Sequence, residues 1–283
     1  MLTEPLPDLE AWVLFFRHAH LPILRHTARQ LEEARQNKDH ISGSDLAKIV
    51  LRDPLLAVSV LAFIQPMHGK HLQSQITTIE HSIIMLGVDP FFREFESPIT
   101  IEAALKNEPE ALLHVLQTIQ RVQRASRFAR SWAFERHDLD IEEVTLAALL
   151  HDLAEILLWC FAPKLALAIH AQQRSNKTLR SAVAQESILG IRLFDLQRAL
   201  CSAWQLPELL ALLMDDTKAY LPRVQNVSLA VNLARHLVRG WDDAALPDDF
   251  AGIENLLRID RAALLSRLEV PTEWIAQYLP AEK

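Results

Sequence analysis

The 283 residues are 50% hydrophobic and 23% charged, and 36 acidic against 29 basic side chains leave a net charge of −7, a composition that buries a core without disulfide staples. Six glycines, at 43, 69, 87, 190, 240 and 252, are too few and too scattered for a glycine-rich phosphate loop. Two cysteines, Cys160 and Cys201, form no C-x-x-C pair, which argues against structural zinc and for a reducing, cytoplasmic setting. Acidic residues start at Glu4, no basic leader precedes an apolar stretch, and no uninterrupted apolar run approaches the ~20 residues that span a bilayer, so no membrane contact is expected.

Leu and Ala dominate the apolar positions at helical spacing, and sustained period-two alternation is absent, so the chain reads as all-α and multi-helical. In Asp53-Pro54 and Asp89-Pro90 the Asp is placed to cap free amides while Pro fits the first turn. Thr77-Thr78-Ile79-Glu80 reads as a capping box before a short apolar helix that Gly87 ends. A long helix is expected over residues 111–136, and Asp140-Ile141-Glu142-Glu143 opens another that runs to about Cys160 before Pro163. Further helices are expected at about 163–174, 178–202, 207–214 and 222–239, followed by two or three at the end. The polar stretch 241–249 is the one plausible boundary, giving a helical domain over 1–240 and a C-terminal helical appendage over 241–283.

The most pointed segment is Leu149-Leu150-His151-Asp152-Leu153. In a continuous helix Val144, Ala147, Ala148, His151, Glu155 and Leu158 share one stripe, so His151 points where the apolar side chains point. An adjacent His-Asp pair can give a divalent metal one nitrogen and one oxygen, with Glu155 one turn further on as a ligand, base or ion-pair partner. Two ligands alone hold a metal weakly, and a core histidine bonded to a carboxylate is the competing reading.

Around this pair the sequence resembles the HDOD family, the output-domain branch of the HD superfamily of metal phosphohydrolases, over about residues 20 to 240. The resemblance rests on Leu21-Pro22, Arg52-Asp53-Pro54-Leu55-Leu56, Ile76-Thr77-Thr78-Ile79-Glu80-His81-Ser82-Ile83 with Leu86-Gly87, Ala147 to Leu153, Glu186 with Leu189-Gly190, and Trp204-Gln205-Leu206-Pro207. It implies an all-helical regulatory domain wired into bacterial signal transduction. Matched to that family, the first histidine of an HD site falls at Arg121, a later one near Arg192, and a His-His pair near Thr217-Lys218, while Val231-Asn232 stands where a late aspartate is expected. From Ala171 through Arg235 there is no histidine at all. No metal and no cofactor are therefore expected, and the site reads as vestigial and non-catalytic. Arg121 or Arg192 is expected to pair with Asp152, with Glu155 or Glu186 joining, because an unpaired buried carboxylate is costly.

Arg121, Arg124, Arg127 and Arg130 recur every third residue, with Arg136 beyond, and the competing readings are a solvated helix face and a phosphate-reading ridge. The net acidity and the lack of interleaved aromatics make nucleic acid the weaker partner. His68 and His71 flank Gly69-Lys70 in a polar loop, whereas Trp132, Trp159, Trp204, Cys160 and Cys201 read as core. The expected function is a non-catalytic regulatory domain that binds a signalling protein or a small anionic or nucleotide ligand. The alternatives are a divergent HD phosphohydrolase acting on nucleotides and a nucleic-acid-binding regulator.

Overall fold

The computed structural model describes residues 1–68, 78–96, 98–176 and 178–279, so Lys70, His71 and Thr77 lie outside the described residues, as does the side chain of His68. The helices are, in chain order, α1 (Leu9–His18), α2 (Arg25–Gln36), α3 (Gly43–Val50), α4 (Pro54–Ile64), α5 (Ile79–Leu86), α6 (Val88–Glu94), α7 (Ile101–Ala104), α8 (Pro109–Glu135) and α9 (Ile141–Leu150). They continue as α10 (Leu153–Phe161), α11 (Pro163–Ser175), α12 (Ser181–Leu189), α13 (Leu193–Ala203), α14 (Glu208–Leu213), α15 (Pro222–His236), α16 (Leu246–Leu257), α17 (Arg261–Arg267) and α18 (Thr272–Tyr278). Among the described residues there is no β-strand; an isolated parallel bridge joins Ile23 and Thr100. The all-α expectation holds.

Four local expectations need correction. The helix expected from Asp140 to Cys160 is interrupted at His151-Asp152, where Asp152 takes φ −103° and ψ 27°, so the stripe drawn through His151 and Glu155 does not run on one continuous helix. The helix expected over 178–202 is two, because Gly190 is left-handed at φ 71° and closes α12 before Arg192 opens α13. Asp89 is not a cap: Gly87, at φ 86°, both ends α5 and precedes α6, leaving Asp89 in the first turn, paired with Lys38. The cap of α5 is Thr78, whose hydroxyl accepts from the His81 amide, one residue later than the capping box placed it.

Residues Ile141–Phe161, though interrupted by Glu142, Glu143, His151, Asp152 and Glu155, are long and apolar enough to cross a membrane by length and composition, but 83% of the apolar window is buried within the fold. A core helix passes the same test.

The chain forms two compact units, residues 1–120 with 152–211, and residues 121–151 with 212–283. In the first, Trp12 and Phe16 of α1 are fully buried, stacked at 5.8 Å, and Phe161 meets the Phe16 ring edge-on at 5.8 Å. Helix α1 packs on α13, α10 on α11 and α13, and α3 and α4 on α5. Asp53, fully buried, caps α4 as expected by accepting from the Leu55 and Leu56 amides at 3.1 Å each. Its other oxygen accepts from the Leu24 amide at 2.7 Å, which fixes the start of α2.

In the second unit α15 packs against α9 and α16. Gly252 permits the α15–α16 approach, since a Cβ there would lie 2.7 Å from Leu229 Cδ2. Glu143, its side chain 7% exposed, is held by Arg223 at 2.7 Å, and buried Asn226 donates to the Ala129 carbonyl at 3.2 Å. Residues 241–283, read from the sequence as an appendage, share this unit's core: Phe250 is fully buried against Tyr278, whose hydroxyl donates to the Trp241 carbonyl.

Candidate functional site

The two units divide the His-Asp motif, with Asp152 in the first and His151 in the second. In the second, His151 closes α9 in right-handed helical conformation with its side chain 10% exposed. Its Nε2 lies 3.3 Å from Oδ1 of Asp216, in the short 3₁₀ turn Asp216–Lys218 that Asp215 caps through the Thr217 amide. The same Asp216 oxygen accepts from the Ser228 hydroxyl of α15. Burial pushes the Asp216 carboxyl up, but the hydrogen bond and charge of His151, the Ser228 hydroxyl and the Arg235 guanidinium outweigh it, so its pKa falls below the ordinary value. The resulting cluster joins one imidazole, one carboxylate, one hydroxyl and one nearby guanidinium. Arg121, half-buried on α8, belongs to this unit too.

In the first unit Asp152 is buried and precedes α10, its carbonyl accepting from the Ile156 amide at 3.1 Å. Two residues on, the Ala154 N–H donates 2.8 Å to Oε1 of buried Gln197 on α13, so a side chain satisfies a donor that the opening turn of α10 leaves free. Glu155 is half-buried and accepts from the Thr118 hydroxyl at 3.3 Å. Arg192, expected to approach Asp152, has its observed partner in Glu186 at 3.2 Å, with both side chains more than half exposed. That pair faces water, where an ion pair contributes about 0–1 kcal/mol. His114 stacks on Trp159 at 4.9 Å while His170 meets both rings edge-on, and burial, His114 and Arg174 lower the His170 pKa.

Sequence reasoning missed Asp216. The signal was nevertheless close, because the family register placed a ligand pair at Thr217-Lys218, one residue further along; the search there was for histidine, and a carboxylate occupies the neighbourhood. His151 is already engaged by Asp216, Asp216 holds a hydroxyl and feels a guanidinium, and among the described residues no group of three or more His, Cys, Asp or Glu is placed to hold a metal. What the arrangement supplies is a fixed, charged, hydrogen-bonded surface.

An all-helical chain with a His-Asp step between two helical segments is the class of protein that this fold and site define. The HDOD domain model matches residues 21–219, and the chain belongs to that family. No curated protein matches it. Among solved structures it is similar to the MmoQ response regulator of Methylococcus capsulatus strain Bath, at 17% identity over 90% of this chain and 100% of that one, with a TM-score of 0.69. It is also similar to a virulence factor of Campylobacter jejuni subsp. jejuni, at 18% identity over 98% of each chain, with a TM-score of 0.65. At such identities the likeness concerns the fold.

Proposed function

We propose that the protein is a non-catalytic signal-transduction domain that acts by binding, with a protein as its principal partner and a small anionic ligand as the alternative. The observation that carries this reading is the state of the motif histidine: His151 is spent on Asp216, beside Ser228 and the charge of Arg235, in place of a ligand set with an open position. The HDOD family model and the response-regulator name borne by a protein of similar fold support the signalling context. The two buried free thiols accord with a reducing cytoplasm.

The test is elemental analysis of protein expressed with added iron, manganese and zinc, with turnover measured on nucleotides and on a phosphodiester. Substoichiometric metal and no turnover are expected. About one metal per chain, with turnover abolished by His151→Ala, would establish the phosphohydrolase alternative instead.

A further inference from the structure

Helix α8 carries a feature that the His-Asp motif does not use. From Arg121 to Phe134 it contains no Asp or Glu, although the chain as a whole is net acidic. Val122, Ala125, Ala129 and Ala133 are buried on one side of the helix. Arg124, Arg127 and Arg130 are exposed on the other, and among the described residues none of the three makes an ion pair or hydrogen bond. At 3.6 residues per turn these arginines and Phe134 fall within an arc of about 120°, and Arg124 to Phe134 spans about 15 Å along the axis. Phe134 is 72% exposed. Phe128 and Trp132 stack at 5.8 Å with planes 7° apart along one edge of this face.

We infer that this face docks an acidic segment of a protein partner, one that also carries an apolar side chain. Three unpaired guanidiniums are poised for bidentate contact with carboxylates, and an exposed aromatic beside them supplies the apolar anchor that interfaces favour. Aromatics do interleave with these arginines, contrary to the sequence expectation, but nucleic acid still fits less well. Three arginines neutralise only about three phosphates, where a duplex binder usually makes about 6–10 such contacts. The net charge of −7 also repels a long polyanion, whereas a short acidic segment meets mainly the local field within about one Debye length. This inference deepens the binding reading by naming the partner's chemistry. It involves none of the residues around His151, so the metal assay and the assay below fail independently.

The test uses the full chain and fluorescence anisotropy with three probes: a labelled helical peptide of Glu and Leu residues, the same peptide with Gln for every Glu, and a 20-base-pair duplex. The Glu peptide should bind at least about tenfold more tightly than the Gln peptide, and should weaken about tenfold between low salt and roughly 300 mM salt. Combining Arg124→Gln, Arg127→Gln and Arg130→Gln should remove that binding with the circular dichroism spectrum unchanged, whereas the three Arg→Lys changes together should keep most of it. Phe134→Ala should weaken binding without altering its salt dependence. The inference is overturned by equal binding of the two peptides, by no binding of the Glu peptide, or by full binding in the triple glutamine variant. Tighter binding of the duplex would reassign the face to nucleic acid, and self-association lost in the triple glutamine variant would reassign it to a second copy.

Discussion

Asp53 should be among the residues whose loss the fold tolerates least. Its carboxylate is fully buried and accepts from three amides, Leu55 and Leu56 at the start of α4 and Leu24 at the start of α2. It also takes a hydrogen bond from the Thr27 side chain, itself 1% exposed. Burial pushes the Asp53 carboxyl up, and those four donors work against it. Asp53→Ala removes the cap of α4, a loss of about 1 kcal/mol. It also leaves the Leu24 amide and the Thr27 hydroxyl without their acceptor, at about 1–3 kcal/mol for each buried group left unsatisfied. Together the cost should reach about 3–7 kcal/mol, a large part of a usual stability of roughly 5–15 kcal/mol. Asp53→Asn should cost less, because one amide oxygen can still cap α4 while its NH₂ confronts the other donors. Urea unfolding measures the loss, and amide hydrogen exchange locates it: Leu24, Leu55 and Leu56 should lose protection in the Ala variant. An Ala variant within about 1 kcal/mol of the parent, with Leu24 still protected, would refute this account.

Three further outcomes are expected. Arg223→Ala strips the partner from Glu143 and a donor from the Asp140 carbonyl, so urea unfolding should show a loss of about 2–4 kcal/mol, part of it restored by adding Glu143→Gln; a neutral single variant would show the pair to be dispensable. The Asp216 pKa is depressed, so its contribution is present above the unfolded value of 3.8 and lost as pH falls through the folded value. Asp216→Asn should therefore be less stable than the parent at pH 7, by under about 1 kcal/mol for this half-exposed side chain, with the gap closing below about pH 4; a gap independent of pH would contradict the proposed contacts. Cys160 and Cys201 should resist alkylation in native protein at pH 8 and react after unfolding, because burial pushes Cys201 up to about 12 and raises Cys160 as well; fast native labelling would show that the core opens.

Local chemistry was legible in the chain itself. Helical periodicity specified an all-α protein, and Asp53-Pro54 specified the start of α4, because a cap joins atoms two and three residues apart. Gly87 likewise marked the end of α5 through its left-handed φ. Where two local signals competed, the sequence was misleading: Gly87 turns the chain directly into α6, which removes any need for Asp89 as a cap.

Through Ala147 to Leu158 nearly every side chain is buried, so the hydrophobic pattern carries no phase, and the interruption at His151-Asp152 left no trace in the periodicity. The partners that give the candidate site its character lie far apart in the chain. Asp216 is 65 residues from His151, Gln197 is 43 from Ala154, and Leu24 is 29 from Asp53. A sequence fixes which side chains must find partners, since buried polar groups are costly when unsatisfied. Which partner each finds was decided by tertiary packing, which alone brings the turn Asp216–Lys218 and helix α15 to the imidazole of His151.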